Sequence, residues 1–177
     1  QIRNDIAIHD YPLTILGTST GYDNAPLGPT HHIIDEWGAL KSISNFNIYC
    51  PSTVSYANKL LDIVLNQRKP SYIRIPKGNF DIKGGDQDYY YKQSYNSKKI
   101  LISYGSIAWE CLKAQNIENK FSVLILNKLH PLDSIKIEIN KILNLYDSVI
   151  IAEDHFPQSG LYSSICQLMM ENQIFKK

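Results

Sequence analysis

Short apolar runs separated by turn residues set the rhythm of this chain. Leu13-Thr14-Ile15-Leu16-Gly17 is one such run, and Asn45-Phe46-Asn47-Ile48-Tyr49-Cys50-Pro51 and Pro70-Ser71-Tyr72-Ile73-Arg74-Ile75-Pro76 are two more. Each is the length of a buried strand and is bounded by Gly or Pro. Between them, residues 32–42 read as a helix. Residues 53–67 read as a second one, with Val54, Leu60, Leu61, Ile63, Val64 and Leu65 on its apolar positions and Ser52 as the expected cap. Strand, helix, strand, helix, strand is the order of a parallel sheet wrapped by helices. Ahead of it, residues 1–9 form a short helix that Tyr11-Pro12 breaks.

Residues 78–98 change character. Gly78, Gly84, Gly85 and the run Tyr89-Tyr90-Tyr91 stand among polar residues with little apolar periodicity, as in a linker or a short hairpin. A second α/β unit follows. Strands are expected at 99–105, 121–126 and 148–153, and helices at 106–116, 134–145 and 161–171. His130-Pro131-Leu132-Asp133 is a turn into the middle helix. The continuous apolar strands suit sheets covered on both faces. The fold class is therefore α/β, with two parallel-sheet units. Residues 1–80 form one domain, 81–97 a linker and 98–177 the other.

Composition narrows the function classes. Hydrophobic residues are 44% and charged residues 20%, and the net charge is +1, so nothing favours nucleic acid or an anionic membrane as a partner. No apolar run reaches the ~20 residues of a membrane helix, and no secretory pattern opens the chain. Cys50, Cys111 and Cys166 lack metal-ligand or CxxC spacing and read as reduced thiols of a cytoplasmic protein.

The chemistry-bearing stretch is the loop after the first strand. Gly17-Thr18-Ser19-Thr20-Gly21 opens it, and Leu27-Gly28-Pro29-Thr30-His31-His32 closes it on a Gly-Pro turn that delivers two histidines to the front of a helix. Long loops between a strand and a helix are where α/β proteins keep their sites. Asp35 and Glu36, at the first turn of that helix, are expected to stabilise its dipole.

Six landmarks in order make the chain resemble the transketolase family. Gly28-Pro29-Thr30-His31 followed by Asp35-Glu36 resembles its central motif. Asn45-Phe46-Asn47-Ile48 with Cys50-Pro51-Ser52, and then Arg74-Ile75-Pro76-Lys77-Gly78, resemble two of its strand ends, the latter as found in deoxyxylulose phosphate synthase. Tyr104-Gly105-Ser106, Pro131-Leu132-Asp133 and Glu153-Asp154-His155 with Ser159-Gly160-Leu161 resemble landmarks of its C-terminal domain. The resemblance implies that residues 1–80 are the second half of a pyrimidine-binding domain. It implies that the C-terminal domain follows, that the chain is cut at both ends, and that the family's catalytic Glu lies upstream of Gln1.

The same resemblance assigns roles. His31 faces the cofactor's thiazolium and the hydroxyls of the donor sugar, and imidazole both accepts and returns protons near neutral pH. Ser19, Arg74 and Lys77 are the substrate-binding candidates, with Arg74 and Lys77 gripping a sugar phosphate. His32 is expected at the helix start as a bystander, and His130 and His155 in structural or interface roles. Ser19 stands where many transketolases carry a His, and Leu27 where an Asp usually reads a sugar hydroxyl. Both departures remove polar reach toward the substrate.

The expected function is part of a thiamine diphosphate-dependent enzyme that moves a two-carbon ketol unit between sugars or sugar phosphates. Thiamine diphosphate and Mg2+ would be the cofactors, held by a domain or subunit outside this chain, so the fragment alone is expected to be inactive. A homodimer, or a partner subunit carrying the diphosphate-binding domain, is implied. The alternatives are a condensation of pyruvate with an aldose phosphate, as in deoxyxylulose phosphate synthase, and a non-catalytic subunit on the same fold.

Overall fold

The computed structural model describes residues 1–78, 82 and 84–176; residues 79–81, 83 and 177, which include the expected start of the linker, lie outside the described residues. Among the described residues the strands form two four-stranded sheets. The first holds β1 (Thr14–Thr18), β2 (Asn47–Tyr49), β3 (Ser71–Ile75) and β7 (Lys128–His130) in the order β1-β3-β2-β7. The second holds β4 (Tyr89–Lys92), β5 (Lys99–Ser103), β6 (Ser122–Leu126) and β8 (Ser148–Ile151) in the order β4-β6-β5-β8. Three strands of each sheet run parallel, as the alternation with helices dictates. Each sheet also carries an antiparallel edge strand, β7 on β2 and β4 on β6. The α/β class holds, with the edges mixed in direction.

Those two edge strands are what ties the halves together. β4 arises within the stretch read as a linker or a short hairpin, and it pairs with β6. β7 leaves the second sheet directly after β6 and crosses into the first. Asn127, fully buried, is the single residue between β6 and β7. Its side-chain oxygen accepts from Ser52 N–H (2.9 Å) and Ser52 Oγ (2.5 Å), and its amide donates to the Gln87 carbonyl (2.6 Å). Its own carbonyl accepts from Cys50 N–H (2.8 Å). Each polar group of this crossing point is thereby satisfied, as a buried amide requires.

Ser52 is therefore not the cap of the next helix. α2 (Val54–Gln67) is capped by Thr53, whose Oγ1 accepts from Tyr56 N–H (3.0 Å), a bond of about 1 kcal/mol. The helix expected over 32–42 is also shorter, and α1 spans only Glu36–Leu40. The reason lies upstream. Gly21 and Ile33 exchange two backbone hydrogen bonds (2.9 and 3.0 Å), which draws the chain before α1 into an extended path and leaves Pro29–His31 as a single 3-10 turn.

α3 (Gly105–Glu118), α4 (Lys136–Leu143) and α5 (Leu161–Glu171) cover the second sheet. α5 starts where Leu161 and Tyr162 N–H donate to the Glu153 carboxylate (2.6 and 3.0 Å). That close approach requires Gly160, since a Cβ there would lie 2.0 Å from Glu153 Oε2. The largest apolar core draws on both sheets. Trp37, Phe46, Ile48 and Tyr72 pack into the same cluster as Ile100, Ile102, Tyr104, Leu124 and the inner faces of α4 and α5.

Candidate functional site

β3 alternates. Ile73 points to the α2 side, while Tyr72 and Arg74 point to the face shared with the second sheet. Arg74 is completely buried there. Its Nε donates to Glu36 Oε1 (2.6 Å), Nη1 to Asp154 Oδ1 (2.9 Å) and Nη2 to the Ile33 carbonyl (2.8 Å), and the guanidinium lies 5.3 Å from the Tyr104 ring centroid. A guanidinium engaged in this way does not present itself to a phosphate, so the expected grip by Arg74 does not fit the geometry. A buried cation needs partners, and Glu36 and Asp154 are those partners. Glu36, expected to serve the helix dipole, reaches into the core instead.

His155 completes this ionic centre. Its Nε2 accepts from Gly38 N–H (3.3 Å), so the ring proton sits on Nδ1, 3.2 Å from the Phe156 carbonyl. The ring packs at 5.1 Å from Trp37 and its Nε2 lies 3.9 Å from Glu36 Oε2, beyond hydrogen-bond reach. Burial is the largest influence on it and pulls its pKa below the ordinary 6.5, against the pull of the Phe156 carbonyl and Glu36. Cys50 stands beside the same centre. Burial pushes its thiol up to about 12, so it remains a protonated, inert packing group.

The exposed side of the loop is built differently. It springs from the C-terminal end of β1, the edge at which parallel sheets gather ligands. Ser19 is half-buried at φ +62°, with its N–H bound to the Ile75 carbonyl at the end of β3 (3.0 Å). Lys77, just beyond β3, is exposed. Its backbone N–H donates to Asp23 Oδ2 (2.7 Å) and its ammonium to Asn24 Oδ1 (2.5 Å). Ser19, the loop and Lys77 thus meet at one edge, while Arg74, three residues before Lys77, turns inward.

His31 stands in solvent on the 3-10 turn, its Nδ1 3.0 Å from Thr30 Oγ1. A hydroxyl both donates and accepts, so Thr30 supports either tautomer of the ring and leaves Nε2 free to face a ligand. His32 packs edge-on against Tyr22 at 4.9 Å, and its Nε2 is buried without a partner, as is Thr20 Oγ1. Tyr22 and Leu27 are exposed on the same loop, at 53% and 61%. Among the described residues no group of three or more His, Cys, Asp or Glu is placed to hold a metal ion. No helix among them is long and apolar enough to cross a membrane.

Glu36 and Asp154 are the residues that sequence reasoning did not assign to this centre. The signal was present in β3, where one arginine interrupts an apolar run and so demands carboxylates from elsewhere in the chain.

Comparison with known proteins follows the same lines. Residues 1–83 match the family described as the transketolase pyrimidine-binding domain. The chain is similar to one subunit of an apulose-4-phosphate transketolase of Actinobacillus succinogenes, at 25% identity over 97% of this chain and 58% of the relative. It is also similar to a 1-deoxy-D-xylulose-5-phosphate synthase of Prochlorococcus marinus, at 25% identity over 99% of this chain and 29% of the relative. Its fold is shared with a solved structure described as a split gene transketolase, inactive beta4 tetramer. The TM-score is 0.79 and the identity 20%, over 96% of this chain and 56% of that one. The chain thus spans between about a third and rather more than half of the length of these relatives.

Proposed function

We propose, from the match of residues 1–83 to the transketolase pyrimidine-binding domain family, that the chain is one portion of a thiamine diphosphate-dependent enzyme that transfers a two-carbon ketol unit between sugar phosphates. The observation that carries this reading is the position of His31. It is exposed on a loop closed at its neck, at the carboxyl edge of β1 and β3, with its Nδ1 supported by Thr30. In this role His31 holds and returns the proton of a sugar hydroxyl. Ser19 and Lys77 lie along the same edge and serve the substrate's polar and phosphate ends. Arg74 is left to the interior.

Thiamine diphosphate, when bound, supplies the carbanion nucleophile and the electron sink. The residues present fit only one side of it. The unpartnered Thr20 Oγ1 and His32 Nε2 belong to the loop that would face it. The diphosphate and its metal find no matching carboxylate group among the described residues. That end of the site is assigned to a complementary segment or subunit, with which this chain assembles as a heteromer or as a dimer of larger protomers. A relative named as one subunit of a transketolase, and a split transketolase whose β subunits form an inactive tetramer, support this division of labour.

Donor choice tests the reading. With the complementary portion, thiamine diphosphate and Mg2+ present, a ketose phosphate serves as donor and pyruvate does not. Turnover of pyruvate with an aldose phosphate would replace ketol transfer by the synthase reaction, to which relatives at 25–28% identity point. Failure of both donors in a cofactor-saturated assembly would leave the non-catalytic subunit. Calorimetry on the 177-residue chain alone gives no binding of thiamine diphosphate with Mg2+. Micromolar binding would overturn the assignment of the diphosphate end to another segment.

A further inference from the structure

Three successive residues beyond the end of β8 touch the His31 loop at both its feet and the helix α1 that follows it. Asp154 lies against its neck. A Cβ on Gly21, whose φ is +59°, would lie 1.8 Å from Asp154 Oδ2, so the carboxylate rests directly on bare backbone. Through Oδ1 it also holds Arg74, whose Nη2 donates to the Ile33 carbonyl on the other side of the neck. That carbonyl accepts from Gly21 N–H as well (2.9 Å). His155 comes next and accepts from Gly38 N–H inside the first turn of α1. Phe156 follows, and its N–H donates to the Ile34 carbonyl (3.0 Å).

The second sheet therefore sets where the loop of the first sheet begins and ends. Between these points the loop is held by its own turns and by Lys77, which binds Asp23 and Asn24, while its crest stands free of the second sheet. Ala25, Pro26, Leu27, Pro29, Thr30 and His31 are all exposed.

We propose that Asp154, His155 and Phe156 form a clamp that positions His31, with Arg74 as the bridge between clamp and neck. None of the three is a catalytic residue. They act through the geometry of the loop, and a small displacement of a reacting group costs rate steeply. The proposal rests on His31 being the group that meets substrate, and its test separates the two.

The first measurement is amide hydrogen exchange on the 177-residue chain. Asp154→Asn speeds exchange at Gly21 and Ile33 by about tenfold or more, while Ile102 and Leu124 in β5 and β6 keep their protection. Unchanged exchange at the neck overturns the clamp. Should Asp154→Asn lose its fold, the pair His155→Gln and His155→Ala decides the matter. The glutamine can still accept from Gly38 N–H and keeps the exchange rates of α1. The alanine does not, and equal behaviour of the two overturns the clamp.

The second measurement is turnover in the assembled enzyme with a ketose phosphate donor. Asp154→Asn lowers kcat by about 10- to 100-fold with KM nearly unchanged, and this loss disappears when His31→Ala is already present. Losses that simply multiply show that Asp154 does not act through His31 and sink the proposal. If His31→Ala alone leaves turnover intact, the functional reading falls, and neck exchange still decides whether the clamp exists.

Discussion

The His31 ring and its Thr30 partner stand in solvent, whereas Arg74 is buried with each guanidinium nitrogen paired and its carboxylate partner Glu36 keeps one oxygen buried without a hydrogen bond, yet both sets belong to the same stretch of chain. The loop at 19–35 contributes to each. Its exposed crest carries Leu27, Thr30 and His31, and its two feet, Gly21 and Ile33, rest on Asp154 and Arg74. The exposed set is inexpensive to change and available for chemistry. The buried set is held by the high cost of leaving any member alone. A reactive group on an exposed crest gains precision from what fixes the feet.

The sharpest way to break this contrast is to remove the buried cation. Arg74→Ala leaves the carboxylates of Glu36 and Asp154, 19% and 6% exposed, without their partner. Removing one member of such a set costs about 3–5 kcal/mol, and a urea titration of the chain reads it as a lower midpoint. Replacement by Met, which fills the space but leaves the acids, does not restore it. An unchanged midpoint accompanied by a raised KM for phosphorylated donors would return Arg74 to the substrate site.

The exposed counterpart responds in the opposite currency. His31→Ala lowers ketol transfer by about 10²- to 10⁴-fold, while stability stays within about 0.5 kcal/mol because the side chain is exposed and its hydrogen bond is to the equally exposed Thr30. A variant that lost stability as much as turnover would put His31 among the buried set and erase the distinction.

The order of elements was legible because each buried strand is an apolar run with turn residues at its ends. β2, β3, β5, β6 and β8 each lie within an expected run, and β1 overlaps its own but extends one residue past it to Thr18. β4 and β7 were not legible. They are short edge strands, Tyr-Tyr-Tyr-Lys and Lys-Leu-His, without the apolar run that marks a strand buried on both faces. Their pairing depends on Asn127, whose partners Ser52, Gly85 and Gln87 are distant in sequence. The exposed half of the site was readable from the Gly-Pro turn and its histidines, since local turn chemistry fixes it. The buried half was not. Arg74, Glu36 and Asp154 meet only through tertiary packing, and the motif around Arg74 pointed to phosphate instead.

Lys77 tests the boundary between the two regions. It follows Arg74 by three residues yet lies in solvent, held to the loop by Asp23 and Asn24. Lys77→Ala raises KM for a phosphorylated donor by about tenfold, or about 1.4 kcal/mol, with kcat and the urea midpoint unchanged. Lys77→Arg recovers most of the loss. Equal kinetics with phosphorylated and unphosphorylated ketoses in the wild-type assembly would remove the phosphate contact altogether.

The smallest effect concerns protons in the buried region. His155 has its pKa lowered, first by burial and further by Arg74, against the opposing pull of the Phe156 carbonyl, Glu36 and Asp154. In the unfolded chain the same imidazole titrates near the ordinary 6.5. Between its folded value and 6.5 the unfolded state binds more protons, so stability rises with pH across that window. The contribution is complete above 6.5 and is lost as pH falls toward the folded value. His155→Gln, which keeps an acceptor for Gly38 N–H, removes this dependence and flattens the acid limb of a stability–pH curve measured by urea unfolding. His130, lowered chiefly by its own burial, and Glu153, raised by burial, titrate in both proteins and cancel in the difference between the curves. Parallel curves for the two proteins would mean that the proton on His155 is indifferent to folding. The imidazole would then have to be reached by solvent, and the buried centre would end at Asp154.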